Sequence, residues 1–339
     1  MYSDEDLDAA VAAGALSAES AAAFRAHVGQ ARATPAVDEE HFRLVSSFND
    51  IFVAIAGTLV LVAVGWIAET IAHGLIGVAV AATAWGLAEF FTRKRRMALP
   101  SILFLLVFAG GIFAALVPEL DGNILKDGAF AVGMKFALAA AVTAGCTWLH
   151  WKRFRVPITV AAGAAALVGV AVGLLLAITP DLLKWMNAIL FAAGIAVFAF
   201  AMYWDIADPL RQTRRADVAF WLHLLAAPLI VHPVFTLFGL LGREVEVGGA
   251  VAVMLLYVVM GIIALIIDRR ALMVSALVYV LAAISAVLEQ FGAVGVHVAL
   301  TALIIGSALL MLSAFWHASR ACVVRPLPAS WQQKLPPLR

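Results

Sequence analysis

The sequence predicts an all-α polytopic membrane bundle of about ten transmembrane helices with both termini cytoplasmic, and three observations predict it. The chain of 339 residues is 64% hydrophobic and 13% charged, with a mean hydropathy of +1.00. A soluble fold of this size needs more charge to cover its surface, so the apolar excess is expected to face lipid. The apolar residues fall into runs near the ~20 residues that cross a ~30 Å hydrocarbon core. The connectors between those runs alternate in charge: of the 23 Lys and Arg, all but Lys126, Lys135, Lys184 and Arg243 fall on one alternating set, as expected when cations stay on the cytoplasmic face.

Three regions follow. Residues 1–47 read as a cytoplasmic helical hairpin and linker. Ser3-Asp4-Glu5-Asp6 supplies an N-cap with acid in the first turn, Gly14 a C-cap, and Ser17 the start of a second helix carrying Leu16, Ala21, Phe24 and Val28 on one face. The hairpin is expected to lie against the cytoplasmic face, and Pro35 with the acids around it marks the linker. Residues 48–317 read as the bundle, with spans over 50–68, 72–91, 98–117, 128–149, 156–178, 185–203, 217–241, 249–267, 271–290 and 294–316. Residues 318–339 read as a cytoplasmic tail. The first apolar run follows a polar, acidic leader and is long enough to span, so no cleavable signal peptide is expected. Cys146 and Cys322 both fall on the reducing side and are expected as free thiols.

Trp148, Trp151, Tyr203, Trp204, Trp221 and Trp316 cluster at the expected boundaries as an interfacial belt. Several cytoplasmic connectors share a rhythm of aromatic, basic cluster and Pro, as in Trp151…Arg155-Val156-Pro157. Two readings stay open: repeated helical hairpins, or the ordinary composition of a short cytoplasmic turn. Gly169-Val170-Ala171-Val172-Gly173 is a small-xxx-small pattern that lets helices approach closely, either within the bundle or between two copies.

Candidate functional residues form two groups. Inside the spans, Lys135 sits about seven residues into the fourth, roughly 10 Å along a helix. At that depth it either snorkels outward or meets a carboxylate such as Glu289, Glu69 or Asp127. In the seventh span Pro228 is expected to kink the helix around Leu224–Leu225. His232 beyond it then either relays protons or binds a substrate group, or simply satisfies a freed carbonyl. His297 in the tenth span carries the same alternatives. His223 and His232 lie on opposite faces of an unkinked helix, so no shared metal site is expected. The second group is the connector holding Asp205, Asp208, Arg211, Arg214 and Arg215. There the opposite charges either pair within the loop and fix it, or bind a phosphate or lipid headgroup. Glu89, one turn before Arg93, is expected to pair with that basic cluster.

A net charge of +1 excludes a strong field for nucleic acid. No Gly-rich phosphate loop, HExxH, CxxC or Gly-x-Ser-x-Gly occurs, so the reading leans away from an enzyme and expects no cofactor or metal. Membrane lipids are the expected partners, with a membrane-protein partner or a second copy besides.

The leader Leu7…Ala13-Gly14-Ala15-Leu16-Ser17…Ala21…Phe24, the opening Phe48-Asn49-Asp50-Ile51-Phe52-Val53 and the tail Trp316…Arg320…Leu327-Pro328…Trp331…Leu335-Pro336 together resemble a family. It is a group of uncharacterised bacterial polytopic inner-membrane proteins, domains of unknown function with a short cytoplasmic helical hairpin before a multi-span bundle. The resemblance covers both ends and, through hydropathy alone, the middle. It implies a bacterial inner-membrane location and no assigned activity. Three functions are weighed: a transporter- or channel-like protein for a small solute or ion, a non-catalytic accessory or assembly subunit packed beside another membrane complex, and a lipid-acting enzyme using the 205–217 loop. The first leads on architecture alone.

Overall fold

A computed structural model describes residues 4–32, 48–117, 124–211, 213–237, 247–270, 272–273, 277, 280–281 and 297–338. Among them every regular element is helical. The chain divides into two units, Met1–Phe42 and Arg43–Arg339.

The first unit holds two helices, α1 (Asp4–Ala12) and α2 (Ala18–Arg32). Gly14 adopts a φ of +71°, and the Ala15 N–H reaches back to the Ala10 carbonyl at 2.9 Å, closing α1 as a left-handed C-cap does. Ser17 Oγ accepts the Ser20 N–H at 3.0 Å to open α2. Ala21 is buried between the helices, and Arg25 pairs with Asp8 at 2.7 Å.

The second unit runs α3 (Phe48–Ile71), α4 (Ile76–Ala88, continued by π-helical turns over Glu89–Lys94), α5 (Ala98–Leu116), α6 (Ile124–Phe154), α7 (Ile158–Ile178), α8 (Met186–Ile206), α9 (Arg214–Leu237), α10 (Val247–Ile267), α11 (His297–Ala314), α12 (Trp316–Val324) and the short α13 (Ala329–Gln332). Among the described residues six helices are long and apolar enough to cross a membrane: α3, α5, α6 from Gly128, α7, α8 and α9. A seventh results if Leu303–Ala314 and Trp316–Val324, bent by 72° across Phe315, count as one span. The expected spans over 72–91, 249–267 and 294–316 fall on α4 with its π-helical extension, on α10 and on α11. That over 271–290 lies mostly outside the described residues. α9 contains both Pro228 and Pro233 yet is one uninterrupted element, so the expected kink does not divide it.

Neighbouring helices pack as hairpins, α4 on α5, α6 on α7 and α8 on α9. Small residues set the closest approaches. A Cβ on Gly173 would stand 2.6 Å from the Ala137 nitrogen, and one on Gly77 2.5 Å from the Gly111 carbonyl oxygen. The Gly169/Gly173 face is thus used inside the bundle, against α6. The turns inside these three hairpins and the turn after α10 share one backbone feature. Arg96, Arg155, Arg211 and Asp268 each adopt a positive φ of 52–58°, at intervals of roughly 57 residues, which favours repeated hairpins over chance composition. At Asp268 the Arg269 N–H bonds back to the Ala264 carbonyl at 2.9 Å, closing α10 in a Schellman turn.

The core follows these hairpins. Leu61, Ala84, Phe104 and Phe108 fill the contact of α3, α4 and α5. Ala161, Val197, Ala201, Val218 and Leu222 fill that of α7, α8 and α9. Val231, Phe235, Met260, Ala264, Ile305 and Trp316 join α9 to α10, α11 and α12.

Candidate functional site

Charge is scarce in this chain, yet much of what is buried converges at one place, where the α8–α9 connector meets the turn after α10. Asp205 is in the last turn of α8, not in the connector that follows it, and is 6% exposed. His223, two turns into α9 and fully buried, donates from Nε2 to Asp205 Oδ2 at 2.8 Å. Arg269, 1% exposed, donates from Nε to both carboxylate oxygens at 3.2 Å and from Nη2 to Oδ1. A further Nη2 bond reaches the Ala216 carbonyl at 3.0 Å. One carboxylate therefore gathers α8, α9 and the turn after α10.

A second carboxylate extends the cluster. Asp268 accepts Arg211 Nη1 at 3.2 Å and Trp316 Nε1 at 2.7 Å, and Arg320 Nε approaches it at 3.7 Å. Arg211 also donates from Nη2 to the Ile267 and Asp268 carbonyls at 3.0 and 2.5 Å. Its cation thus sits on the C-terminal end of α10, where orphan carbonyls and the helix dipole favour it. Arg320 continues outward, donating to the Pro337 carbonyl at 2.9 Å and the Pro336 carbonyl at 2.5 Å, and so holds the end of the chain. Asp208 accepts both the Thr213 N–H (2.8 Å) and its hydroxyl (2.7 Å), which shapes the connector. Asp205, Asp208 and Asp268 balance Arg211, Arg269 and Arg320 in formal charge, as burial in a low-dielectric setting requires.

Of the connector residues singled out from sequence, Asp205 and Arg211 enter this cluster, Asp208 is buried beside Thr213, and Arg214 and Arg215 stand exposed on the first turn of α9. The pairing is not confined to the loop, because Asp205 and Arg211 reach to the turn after α10. Trp316 corrects the reading of it as part of the interfacial belt. The 72° bend before α12 carries its ring into the core, where it is 2% exposed, bonds Asp268 and lies 4.9 Å beneath the Arg270 guanidinium. His223, Arg269, Asp268 and Arg320 were missed as site residues. Arg269 and Arg320 read as positive-inside markers, and nothing in their spacing distinguishes a buried guanidinium from a solvated one.

Of the intramembrane candidates, the side chains of Lys135, Glu69 and His232 are described. Lys135 is exposed on α6, Glu69 is exposed in the last turn of α3, and His232 is half-buried on α9 with its carbonyl accepting Thr236 Oγ1 at 3.0 Å. Glu289 lies outside the described residues, as do the side chains of His297 and Asp127. Among the described residues no three His, Cys, Asp or Glu are arranged to hold a metal ion.

A smaller polar pair links the end of α6 to the start of α7. The His150 ring is fully buried among Trp85, Phe108 and Phe154, and its Nδ1 lies 3.3 Å from Thr159 Oγ1. Glu89 pairs with Arg93, as its helical spacing predicts, and in bidentate fashion with Arg153 of α6 at 2.7 and 3.0 Å. No protein-family profile, curated protein or solved structure matches the chain.

Proposed function

We propose that the chain is a multi-pass membrane protein of about ten spans with both termini cytoplasmic, a transporter- or channel-like protein for a small solute or ion, in which the Asp205–His223–Arg269 cluster latches the cytoplasmic end. The single observation that carries this is that cluster. Buried ionic groups within a lipid-embedded bundle are costly, and here they join separate hairpins at one end instead of stabilising any one helix. Such a latch gives a bundle a closed state held by a few breakable contacts, which is what a gate needs. The alternating charge of the connectors supports the orientation, and the resemblance at both ends of the chain supports a bacterial inner membrane.

The test is osmotic shrinkage and swelling of proteoliposomes, read by light scattering across a panel of small neutral, cationic and anionic solutes. The expected result is a permeability above that of empty liposomes for one solute class, lowered by Lys135→Ala or His232→Ala and raised by Asp205→Asn. Permeabilities equal to those of empty liposomes for the whole panel would overturn the reading. Orientation is tested separately with single cysteines placed at Ser17 and Asp181 in a chain whose Cys146 and Cys322 are replaced by Ser. They are labelled by a membrane-impermeant maleimide in inverted and right-side-out vesicles. Ser17→Cys is expected to label only in inverted vesicles and Asp181→Cys, in the exposed turn between α7 and α8, only in right-side-out ones.

A second reading, an accessory or assembly subunit, is favoured by one observation: Met1–Phe42 forms a unit of its own. On that reading, deleting residues 1–42 releases a co-purifying membrane protein. Retention of that partner by the truncated chain rules the reading out.

A further inference from the structure

We propose that a groove between α6, α7 and α8 holds an acyl chain of an anionic phospholipid, with the phosphate against Lys152 and Arg155. The inference needs only that the bundle sits in a membrane, and it is independent of any transport activity. The groove has a volume of about 850 Å³. Its deep end is walled by Ala144, Ala171 and Ala193, and its other end by Trp148, Trp151 and Trp204. Trp148 and Leu167 are more than half exposed, so the groove opens on the outside of the bundle and is not sealed within it.

Its dimensions select the occupant. Along α7 the lining runs from Thr159 to Ala171, about 18 Å at ~1.5 Å per residue, close to the ~15 Å depth of one leaflet. A flexible hydrocarbon chain reaching from the headgroups into one leaflet matches that apolar length.

Charge selects the headgroup. Three cations cluster where α6 ends. Arg153 is taken by Glu89. Lys152 and Arg155 instead lie over the rings of two tryptophans that line the groove, Lys152 Nζ 3.8 Å from the Trp148 centroid and the Arg155 guanidinium 5.6 Å from that of Trp151. Neither has a carboxylate partner among the described residues. Both are exposed, and Arg155 is further fixed by its left-handed backbone, with φ at +56°. Two cations without carboxylates at the mouth of an apolar slot, each held on an aromatic face, match a phosphodiester followed by a hydrocarbon chain.

The experiment is native mass spectrometry of the delipidated full chain in mild detergent, titrated with dioleoyl phosphatidylglycerol and, separately, dioleoyl phosphatidylcholine. One phosphatidylglycerol should bind at least tenfold more tightly than phosphatidylcholine. A second copy bound in place of lipid, or equal affinity for the two lipids, overturns the proposal. Because both of those outcomes are read on the wild-type chain, they do not depend on any variant folding. Lys152→Gln with Arg155→Gln should abolish the preference while leaving phosphatidylcholine binding unchanged, and a retained preference overturns it. Ala164→Phe, which fills the slot, should remove both lipids, and unchanged binding overturns it. Glycerol phosphate at the same concentration should not displace the lipid. Displacement would assign the cations to a soluble phosphate and overturn the acyl-chain assignment.

Discussion

Removing the charge of Asp205 is the sharpest perturbation the structure offers. Asp205→Asn keeps the shape of the side chain but leaves Arg269, 1% exposed, with the Ala216 carbonyl in place of a carboxylate. It also removes the anion that His223 addresses. Breaking a buried pair by removing one partner costs about 3–5 kcal/mol, because the other charge stays buried and uncompensated. At about 1.4 kcal/mol per decade that is a loss of two to three and a half powers of ten in the folded-to-unfolded ratio, a large share of a stability of about 5–15 kcal/mol. The assay is equilibrium unfolding in mixed micelles with rising dodecyl sulfate, followed by helicity and tryptophan emission. The double variant Asp205→Asn/Arg269→Gln removes both charges, so it should recover about 2–3 kcal/mol relative to the sum of the single changes. Single changes costing under ~1 kcal/mol, or a double variant that is simply additive, would refute the reasoning that these groups are energetically coupled.

Other perturbations follow from the same geometry. Trp316→Phe deletes the bond to Asp268 while keeping the ring, and is expected to cost about 1.5–3 kcal/mol in the same titration. Gly173→Leu would drive a side chain into the α6 backbone near Ala137 and is expected to abolish monodisperse protein in size-exclusion chromatography, whereas Gly86→Ala, which meets open space, should elute as wild type. Glu89→Gln breaks an exposed pair with Arg93 and Arg153 and is expected to leave the unfolding midpoint unchanged at physiological salt. At Arg96, whose φ is +52°, Arg96→Gly should be tolerated and Arg96→Val should lower the midpoint, read by thermal denaturation in detergent.

What the sequence disclosed and what it withheld have separate physical causes. The positions of α3, α5, α6, α7 and α8 are legible because each is a long, mostly apolar run set off by polar connectors. The closeness of α6 and α7 was legible too, since Gly169 and Gly173 have little use except to let another backbone near. The ionic cluster was legible only in part. Asp205 and Arg211 stand out because acids and bases crowd one connector, but their partners Arg269 and Asp268 are more than fifty residues away in sequence. Spacing carries no information across such a gap. Trp316 was misread because an indole at a span boundary has the same local sequence whether it rests in headgroups or turns inward, and only the bend at Phe315 decides between them.

The division of labour between these two kinds of contact explains why charge is buried here at all. In lipid, helices gain little by hiding apolar faces from one another, because the surrounding tails are as apolar as the partner. Within a hairpin the problem is solved by proximity: a short turn brings two helices together, and small residues such as Gly173 and Ala137 let their backbones nearly touch. Between helices that are not neighbours in sequence, such as α8 and α10, no turn helps, and apolar packing alone would accept several arrangements of near-equal energy. A carboxylate whose partners come from α8, α9 and the turn after α10 admits far fewer, since any other arrangement leaves an unpaired ion in a low-dielectric setting. On this argument the cluster adds less to overall stability than to the choice among arrangements. Neutralising both Asp205 and Arg269 should therefore preserve helicity and most of the stability while broadening the distances between α8 and α10 measured by paired spin labels. A double variant with wild-type distance distributions would show that apolar packing alone fixes how the hairpins are arranged.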